Sequence, residues 1–314
     1  MTTTTGIRYA LGSAAALLLL AGCNGGSSAG PPATIVNSGK LAPPPGKKPA
    51  DLAVAEYYGS SSYVQIYNKH DKKAGKVTAG ISEPFALWYD DAKNLYSANY
   101  NNSSGDVTEY AGGTNKPSYT YSFGVGCPTG ITTDKNLDVF ISDRCVEGVT
   151  EFPQESYNQI GQCTGIAAPE NVALDAAGDV FVTYYDDTTG HGAIYEFAGG
   201  LNNGCNATNI IPSGSQGSFN STDGLLVDKN NNLIVVDNAN ATVDIVPPPY
   251  TTISKYITGF EKPFRIALNA KQSLLFVTDR GLVEVVVVSY PQGVVKGAVA
   301  KGVMSPGGIA AYPQ

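Results

Sequence analysis

Two carboxylates and one amide stand at matching positions of a repeated sequence pattern, where they could act together. Glu170 and Asn171 lie near the start of one copy of the pattern, and Asp223 lies near the start of the following copy. Oxygen ligands of this kind suit Ca²⁺ and other divalent cations, so these side chains are candidates for a cation site. Arg265 stands in the next copy. An ion pair between the carboxylates and this arginine is the alternative, and we prefer it because structural ion pairs also gather carboxylates.

Other catalytic chemistry finds little support in the chain. It contains only two histidines, and no pair of its cysteines has the close spacing of a zinc site. No Ser-His-Asp arrangement and no phosphate-binding glycine loop can be recognised. His191 lies in a predicted loop, Asp186–Gly192, at the same end of the repeated units as the carboxylates. We therefore expect either no cofactor or a divalent cation such as Ca²⁺, and a binding protein in preference to an enzyme.

The elements that would position these residues are β-hairpins. The stretch Pro169–Tyr185 contains two apolar, β-prone runs separated by Asp175 and Gly178, which is a hairpin pattern. Similar stretches begin at Pro84, Pro128, Thr222, Pro263 and, in truncated form, Pro306. A third β-prone segment also recurs, and its copies start at residues 64, 107, 149, 194, 243 and 283.

Four strands repeated with a period of about 40–50 residues predict an all-β fold, a six-bladed β-propeller with four antiparallel strands per blade. We assign the propeller to residues 49–314. Its first blade is composite, because Leu52–Glu56 matches the second strands of the other copies and Gly308–Tyr312 supplies the missing innermost strand. This closure by the C-terminus leaves no open edge in the ring.

In a propeller, the residues after the opening of each innermost strand lie near the mouth of the central channel. The first of these positions is occupied by Phe85, Thr129, Glu170, Asp223, Phe264 and Gly307. The second is occupied by Ala86, Gly130, Asn171, Gly224, Arg265 and Gly308. Glu170, Asn171, Asp223 and Arg265 are therefore expected to share one rim of the channel.

The hairpin pattern resembles that of NHL-repeat propellers, which share the motif Pro-x-Gly-Ile/Val-x-x-Asp, and this resemblance covers all six blades. The chain is also similar, more distantly, to the gluconolactonase (senescence marker protein) propellers, in which Glu, Asn and Asp bind a divalent cation at the channel mouth. Asp223 in Thr-Asp-Gly matches the aspartate of their Pro-Asp-Gly motif, whereas Glu170 stands where they have asparagine. Their first-blade glutamate would correspond to Glu83, which precedes Pro84. The second resemblance implies a cation-dependent lactonase, or a related hydrolase or lyase, as the alternative function.

The N-terminus resembles a bacterial lipoprotein signal peptide, which we assign to residues 1–22. Arg8 precedes the apolar run Ala10–Leu20, which is too short to span a bilayer, and a Leu-Ala-Gly-Cys lipobox ends at Cys23. The resemblance implies cleavage before Cys23 and lipidation of that residue. Residues 23–48 are rich in Gly, Ser and Pro, and they predict a disordered tether.

Charge restricts the partners of the mature protein. The formal net charge is −7, and loss of Arg8 with the signal peptide makes it −8. An acidic body argues against nucleic acid and anionic lipid as partners, so membrane attachment must come from the lipid on Cys23. Asn24, in place of aspartate, resembles the sorting pattern of outer-membrane lipoproteins. We expect a monomer, anchored in the cell envelope, that presents loops to a protein, a glycan or a small ligand.

Four cysteines remain after Cys23, and an even number in an exported protein predicts disulfides. Cys127 precedes a first strand and Cys145 follows the second strand of the same hairpin. Antiparallel pairing places these two ends side by side, so a bond between them is expected. Cys163 and Cys205 then pair by exclusion, although strand polarity places them at opposite ends of adjacent blades.

Aspartates also recur at the ends of second strands, at Asp143, Asp237 and Asp279. A catalytic site is normally asymmetric, so repetition in three blades argues against catalysis. Aspartate side chains often close turns by hydrogen bonds to the backbone. We therefore expect these residues to be structural.

Overall fold

The computed structural model describes residues 52–57, 62–68, 70–101, 104–186, 190–211, 219–299 and 303–313. The predicted signal peptide, Cys23 and the predicted tether lie outside these residues. Within the described ranges, no helix is long and apolar enough to cross a membrane. The described chain is almost entirely β-structure, with one short 3-10 helix at Ala111–Gly113.

The described residues form 24 strands, which we number in chain order. They are β1 (Leu52–Glu56), β2 (Tyr63–Tyr67), β3 (Lys73–Val77), β4 (Pro84–Tyr89), β5 (Leu95–Asn99), β6 (Asp106–Tyr110), β7 (Tyr119–Tyr121), β8 (Pro128–Thr133), β9 (Val139–Asp143), β10 (Gly148–Phe152), β11 (Gly161–Thr164), β12 (Pro169–Leu174), β13 (Val180–Asp186), β14 (His191–Phe197), β15 (Asn209–Ile211), β16 (Thr222–Val227), β17 (Leu233–Asp237), β18 (Thr242–Val246), β19 (Lys255–Ile257), β20 (Pro263–Leu268), β21 (Leu274–Asp279), β22 (Glu284–Ser289), β23 (Val294–Val299) and β24 (Pro306–Ala311).

The strands form six antiparallel sheets of four strands each, and each sheet is one blade. From the innermost strand outward, blades 1 to 6 have the orders β24-β1-β2-β3, β4-β5-β6-β7, β8-β9-β10-β11, β12-β13-β14-β15, β16-β17-β18-β19 and β20-β21-β22-β23. Neighbouring innermost strands contact one another around the whole ring, including β24 with both β4 and β20. The six-bladed propeller predicted from the sequence repeat is thus confirmed.

Blade 1 is built from both ends of the described chain. β24 pairs with β1 in antiparallel register, with Leu52 opposite Ala311 and Val54 opposite Ile309. Leu52, Val54 and Ile309 also belong to one buried apolar cluster that includes side chains of blade 6. Hydrogen bonds and apolar burial therefore close the ring together, as the composite blade predicts.

The apolar core lies between adjacent blades. Every residue of β17 is buried, because neighbouring blades cover both faces of the strand. Its Ile234 and Val236 pack with Ile266 and Leu275 of blade 6, and complete burial of one such side chain contributes about 1.5–3 kcal/mol. The outermost strand β11 instead alternates buried and exposed residues, as expected for a strand with one solvated face.

Two disulfides join the cysteines in the predicted pairs, Cys127 with Cys145 and Cys163 with Cys205. The expectation that strand polarity separates the second pair is wrong. Cys205 lies in the loop between β14 and β15, and this loop reaches β11 of the preceding blade, where its Leu201 packs in the same apolar cluster as Cys163. The course of the loop, which strand order does not determine, brings the two sulfurs together.

The aspartates that end second strands accept backbone hydrogen bonds from two neighbouring loops. Asp143 accepts backbone hydrogen bonds from Gly126 at 2.6 Å and from Cys145 at 2.8 Å. Its carboxylate therefore joins the segment before β8 to the turn after β9. Asp237 and Asp279 make equivalent bonds in blades 5 and 6. The structural role that their repetition predicts is confirmed.

Candidate functional site

Every innermost strand has an irregular register near its start. In blade 3, Pro128 pairs with Asp143 and Gly130 pairs with Ser142, which leaves Thr129 as an extra residue. The other five blades have the same kind of shift, after Pro84, Pro169, Thr222, Pro263 and Pro306. Such a β-bulge leaves the extra residue outside the ladder. The bulged residues are those that the sequence predicts at the channel mouth.

Arg265 extends across the channel mouth and connects three other blades. Its guanidinium donates hydrogen bonds to the main-chain carbonyls of Thr129 and Glu170, both at 3.1 Å, and to that of Asp223. These carbonyls can accept a side-chain donor because they belong to bulged residues. Arg265 is only 2% exposed, so the carbonyls replace water around its charge.

Aromatic rings cover this guanidinium. The Arg265 Cζ atom lies 4.3 Å from the centre of the Phe264 ring and 4.7 Å from that of Phe85. Arg280 lies 3.2 Å from the Phe264 ring centre and 5.0 Å from that of Tyr57. All three rings are buried. Cation–π contacts of buried groups contribute about 2 kcal/mol, so the rings stabilise the charges while excluding water.

Glu170 is buried between two arginines. Its Oε1 forms a salt bridge with Arg144, and its Oε2 lies 3.8 Å from Arg265 Nη2. Oε2 has no hydrogen-bond partner among the described residues, so Arg144 is the stronger contact. The ion pair predicted between Glu170 and Arg265 is present at this longer distance. Arg144 is a partner that sequence reasoning missed, although its place directly after Asp143 puts it on the same rim.

Asp223 is partly exposed at the mouth, and within the described ranges no ion pair reaches its carboxylate. Burial raises the pKa of Asp223 to about 6, although Arg265, Arg280 and Arg144 oppose this shift. Burial also lowers the pKa of Arg265 to about 9, with Asp223 opposing the shift. Arg265 contacts the main-chain carbonyl of Asp223. The expected side-chain pair between them is therefore replaced by a main-chain contact.

Asn171, the third predicted ligand, is committed to the contact between blades 3 and 4. Its Oδ1 accepts a hydrogen bond from the backbone N–H of Val172 at 2.9 Å. The same oxygen lies so close to Gly130 that a Cβ atom there would come within 2.5 Å of it. Close approach of the two strands thus requires glycine at position 130 and fixes the asparagine.

We call Arg144, Glu170, Asp223, Arg265 and Arg280 the arginine end of the channel. Arg144 and Arg265 lie beside Glu170, and all three guanidinium groups act on Asp223. A divalent cation bound between Glu170 and Asp223 would be repelled by these neighbouring guanidinium groups. The geometry therefore favours the ion-pair interpretation of Glu170 over the cation site.

His191 does not lie in a loop, as the sequence suggested, but at the start of β14. Its Nδ1 lies 3.0 Å from Asn220 Oδ1. The Asn220 amide donates to Asn240, and the Asn240 amide donates to Asp237. The histidine is thus one member of a polar chain that joins blades 4 and 5.

Beyond Arg265 the channel is narrow. A cavity of about 60 Å³ is lined by Arg265, by Trp88 and by apolar side chains such as Leu87, Ile131 and Ile309. One water needs about 10–15 Å³ by this measure, so the space holds only a few. Arg265 closes this channel on the side where the innermost strands begin.

Two larger cavities lie where the innermost strands end, with volumes of about 350 and 390 Å³. Trp88 and Asp91 line both of them, and the larger is also lined by Asp134, Lys135 and Asp175. We call these five residues the tryptophan end. The sequence repeat does not predict this site. The available signal was Trp88 itself, a large ring at a strand position where the other five copies have Thr132, Ala173, Leu226, Ala267 and Ala310.

Comparison with known proteins supports the fold. No protein-family profile matches the chain, and no curated protein matches it. A chain in the crystal structure of a nidogen/laminin complex is similar, with a TM-score of 0.68 and 16% identity over 83% of this chain and 97% of that one. At this identity the similarity shows a shared propeller fold, and propellers host many functions.

Proposed function

We propose that this protein is a lipid-anchored, extracytoplasmic binding propeller whose partner is a protein, a glycan or a small ligand. The observation that carries the proposal is the engagement of Glu170 by Arg144 and Arg265. A hydrolase of the gluconolactonase-like type would need the carboxylates at this rim as cation ligands. Here Glu170 is already engaged by two arginines, so the rim serves as a structural closure.

The far side of the channel supports a binding role. Ligand pockets are typically concave, mostly apolar and about 300–1,000 Å³ in volume. The two cavities of the tryptophan end, about 350 and 390 Å³, fall within this range. They are framed by innermost strands that contact one another around the entire ring, so their walls are held in place without a ligand.

The proposed location rests on two features. The two disulfides indicate an oxidising compartment outside the cytoplasm, and the lipobox at Cys23 supplies the anchor. We expect Cys23→Ser to release the protein from membrane fractions or to leave it unprocessed. A mature-length variant that still sediments with membranes would show that another group provides the attachment.

The deciding experiment measures thermal stability and lactone hydrolysis with Ca²⁺, Mg²⁺, Mn²⁺ or Zn²⁺ present. The proteins are the wild type, the Glu170→Ala/Asp223→Ala variant and Glu261→Ala, which removes an exposed carboxylate. A cation at a hundredfold over its Kd would stabilise the fold by about 2.7 kcal/mol. We expect no metal-dependent stabilisation and no hydrolysis in any of the three, and reduced stability in the double variant because Arg144 loses its partner.

The cation-dependent lactonase is the other outcome of this experiment. It would be established by a Ca²⁺ stabilisation that the wild type and Glu261→Ala share and the double variant lacks. Lactone turnover with the same dependence would assign the catalysis to this rim. Binding would then be a step of the reaction and not the function of the propeller.

A further inference from the structure

Trp88 is the one tryptophan of the chain, and it lies where three cavities meet. It lines the channel and both cavities of the tryptophan end. Its indole N–H donates a hydrogen bond to Thr133 Oγ1 of blade 3 at 3.0 Å. This bond fixes the orientation of the ring before any ligand arrives. The residue is only partly buried, so part of its surface remains available for contact.

The larger cavity carries an excess of negative charge. Asp91, Asp134 and Asp175 line it together with a single cation, Lys135. Asp134 and Asp175 each use Oδ1 to accept two hydrogen bonds from the backbone of their own turn, at 2.8–3.0 Å. These bonds hold the carboxylates in place at the edge of the cavity. Such a surface attracts cations and repels anions.

The neighbouring cavity has a different lining. Leu226, Val227, Ile266 and Leu268 contribute apolar walls, whereas Asp134 and Asp175 line only the larger cavity. A ligand that fills both spaces therefore needs a charged group and an apolar group. A hydrated metal ion does not meet this requirement, because apolar walls offer its water shell no hydrogen bonds.

We propose that the tryptophan end binds an organic cation, an alkyl- or arylammonium compound. Its ammonium group lies against Trp88 and the aspartates, and its apolar part occupies the second cavity. Aromatic faces attract such cations, tryptophan most strongly. Lys93 already makes a contact of this kind at the same end, with Nζ 5.5 Å from the centre of the Tyr312 ring. The proposal rests on the proposed binding function and names the ligand class.

The test uses the fluorescence of the full protein, because its one tryptophan lies in the site. The probes are choline and benzyltrimethylammonium, and the control is 3,3-dimethylbutanol, a neutral compound with the shape of choline. We expect a saturable change of the Trp88 emission with both ammonium compounds. The neutral compound should bind at least about tenfold more weakly, which corresponds to about 1.4 kcal/mol.

Charge variants locate the site. Asp91→Asn together with Asp175→Asn should weaken ammonium binding by about tenfold, whereas Glu261→Gln, at the opposite end, should leave it unchanged. Trp88→Leu should abolish the heat of binding in calorimetry, which does not depend on the lost fluorophore. A melting curve of each variant shows that it remains folded.

Two results would overturn this inference. One is equal affinity for choline and its neutral counterpart, which would reduce the site to an apolar pocket. The other is the absence of any saturable signal with either ammonium compound. Both concern the tryptophan end alone, so the metal and lactone measurements at the arginine end still decide the proposed function separately.

Discussion

The arginine end and the tryptophan end belong to the same six innermost strands, yet they differ in backbone, charge and space. At the arginine end the strands begin with bulges. Arg265 closes the channel there and donates hydrogen bonds to the carbonyls of three bulged residues. At the tryptophan end the strands keep regular pairs until they finish, and cavities of about 350 and 390 Å³ remain.

This difference shows how a ring of repeated blades can be closed by a side chain at one end and keep cavities at the other. A bulge leaves carbonyl groups outside the ladder. A buried arginine that donates hydrogen bonds to them connects several blades. Regular strand ends release no such groups, so nothing there draws a side chain across the channel. The closed end thus contributes to stability, and the open end keeps room for a ligand.

Deletion of Pro306–Gln314 should damage both ends, because β24 contributes Gly307 to the mouth and Ala311 to the far cavity. We expect loss of cooperative folding, since an innermost strand is buried between its neighbours and its absence leaves unpaired edges. Circular dichroism during heating is the measurement, and deletion of Gln314 alone is the control. A truncated protein with an unchanged Tm would contradict the composite blade.

Arg265→Leu should affect the arginine end alone. Removing one partner of a buried ion pair typically costs about 3–5 kcal/mol, and here three carbonyls also lose their donor. Urea unfolding measures the loss. Lys135→Leu, an exposed cation of the tryptophan end, should stay within about 0.5 kcal/mol of the wild type. Similar losses of unfolding free energy in the two variants would mean that the contacts of Arg265 do not stabilise the channel mouth.

Asp279→Ala and Asp175→Ala compare one aspartate at each end. Asp279 is fully buried and accepts four backbone hydrogen bonds at 2.7–3.0 Å, so we expect a loss of about 3 kcal/mol. Asp175 is partly exposed and accepts two such bonds, at 2.9 and 3.0 Å, so about 1 kcal/mol is expected. Urea unfolding of both variants gives the difference, and a reversed order would refute the contrast in burial.

The pH dependence of stability should carry a contribution from Asp223. The pKa of Asp223 is about 6 in the folded protein against an ordinary value of 3.8, so between these values the folded state holds more protons than the unfolded state. Stability therefore falls as the pH rises from about 4 to 6, by at most about 2 kcal/mol because the side chain is partly exposed.

The measurement compares urea unfolding of the wild type and Asp223→Asn between pH 4 and 7. The variant lacks the titrating carboxyl but keeps the carbonyl that Arg265 contacts, so its profile should be flatter. The difference between the two profiles isolates Asp223 from other acids, such as the buried Asp244, whose pKa is about 7. Parallel profiles would show that Asp223 is solvated normally.

The fold was predictable because local pattern and period agree. Each copy of the hairpin carries its own turn residues and its own apolar runs. The third β-prone segment recurs with starts at residues 64, 107, 149, 194, 243 and 283, and this count gives the number of blades. The mouth positions were predictable for the same reason, since the bulge recurs at one place in every innermost strand. The composite blade followed from a strand missing at one end and a spare strand at the other.

Side-chain directions were not predictable. The sequence places Arg265 on the rim. That its guanidinium donates to main-chain carbonyls, and not to the Asp223 carboxylate, depends on the geometry of the bulges. Arg144 lies in a turn, and the partner of a turn residue depends on how blades are set against each other. The tryptophan end was missed because its walls come from six strand ends that are distant in the chain. The route of the loop that carries Cys205 is likewise a tertiary property.

The composite blade also has a mechanical consequence. Leu52 pairs with Ala311 at the close of β24, so the chain enters the propeller beside the tryptophan end. If Cys23 carries the lipid, any tension from the membrane would reach the ring at Leu52. β1 is hydrogen-bonded on both sides, to β24 and to β2. Such tension would therefore load both ladders together, and the C-terminal strand would bear part of it.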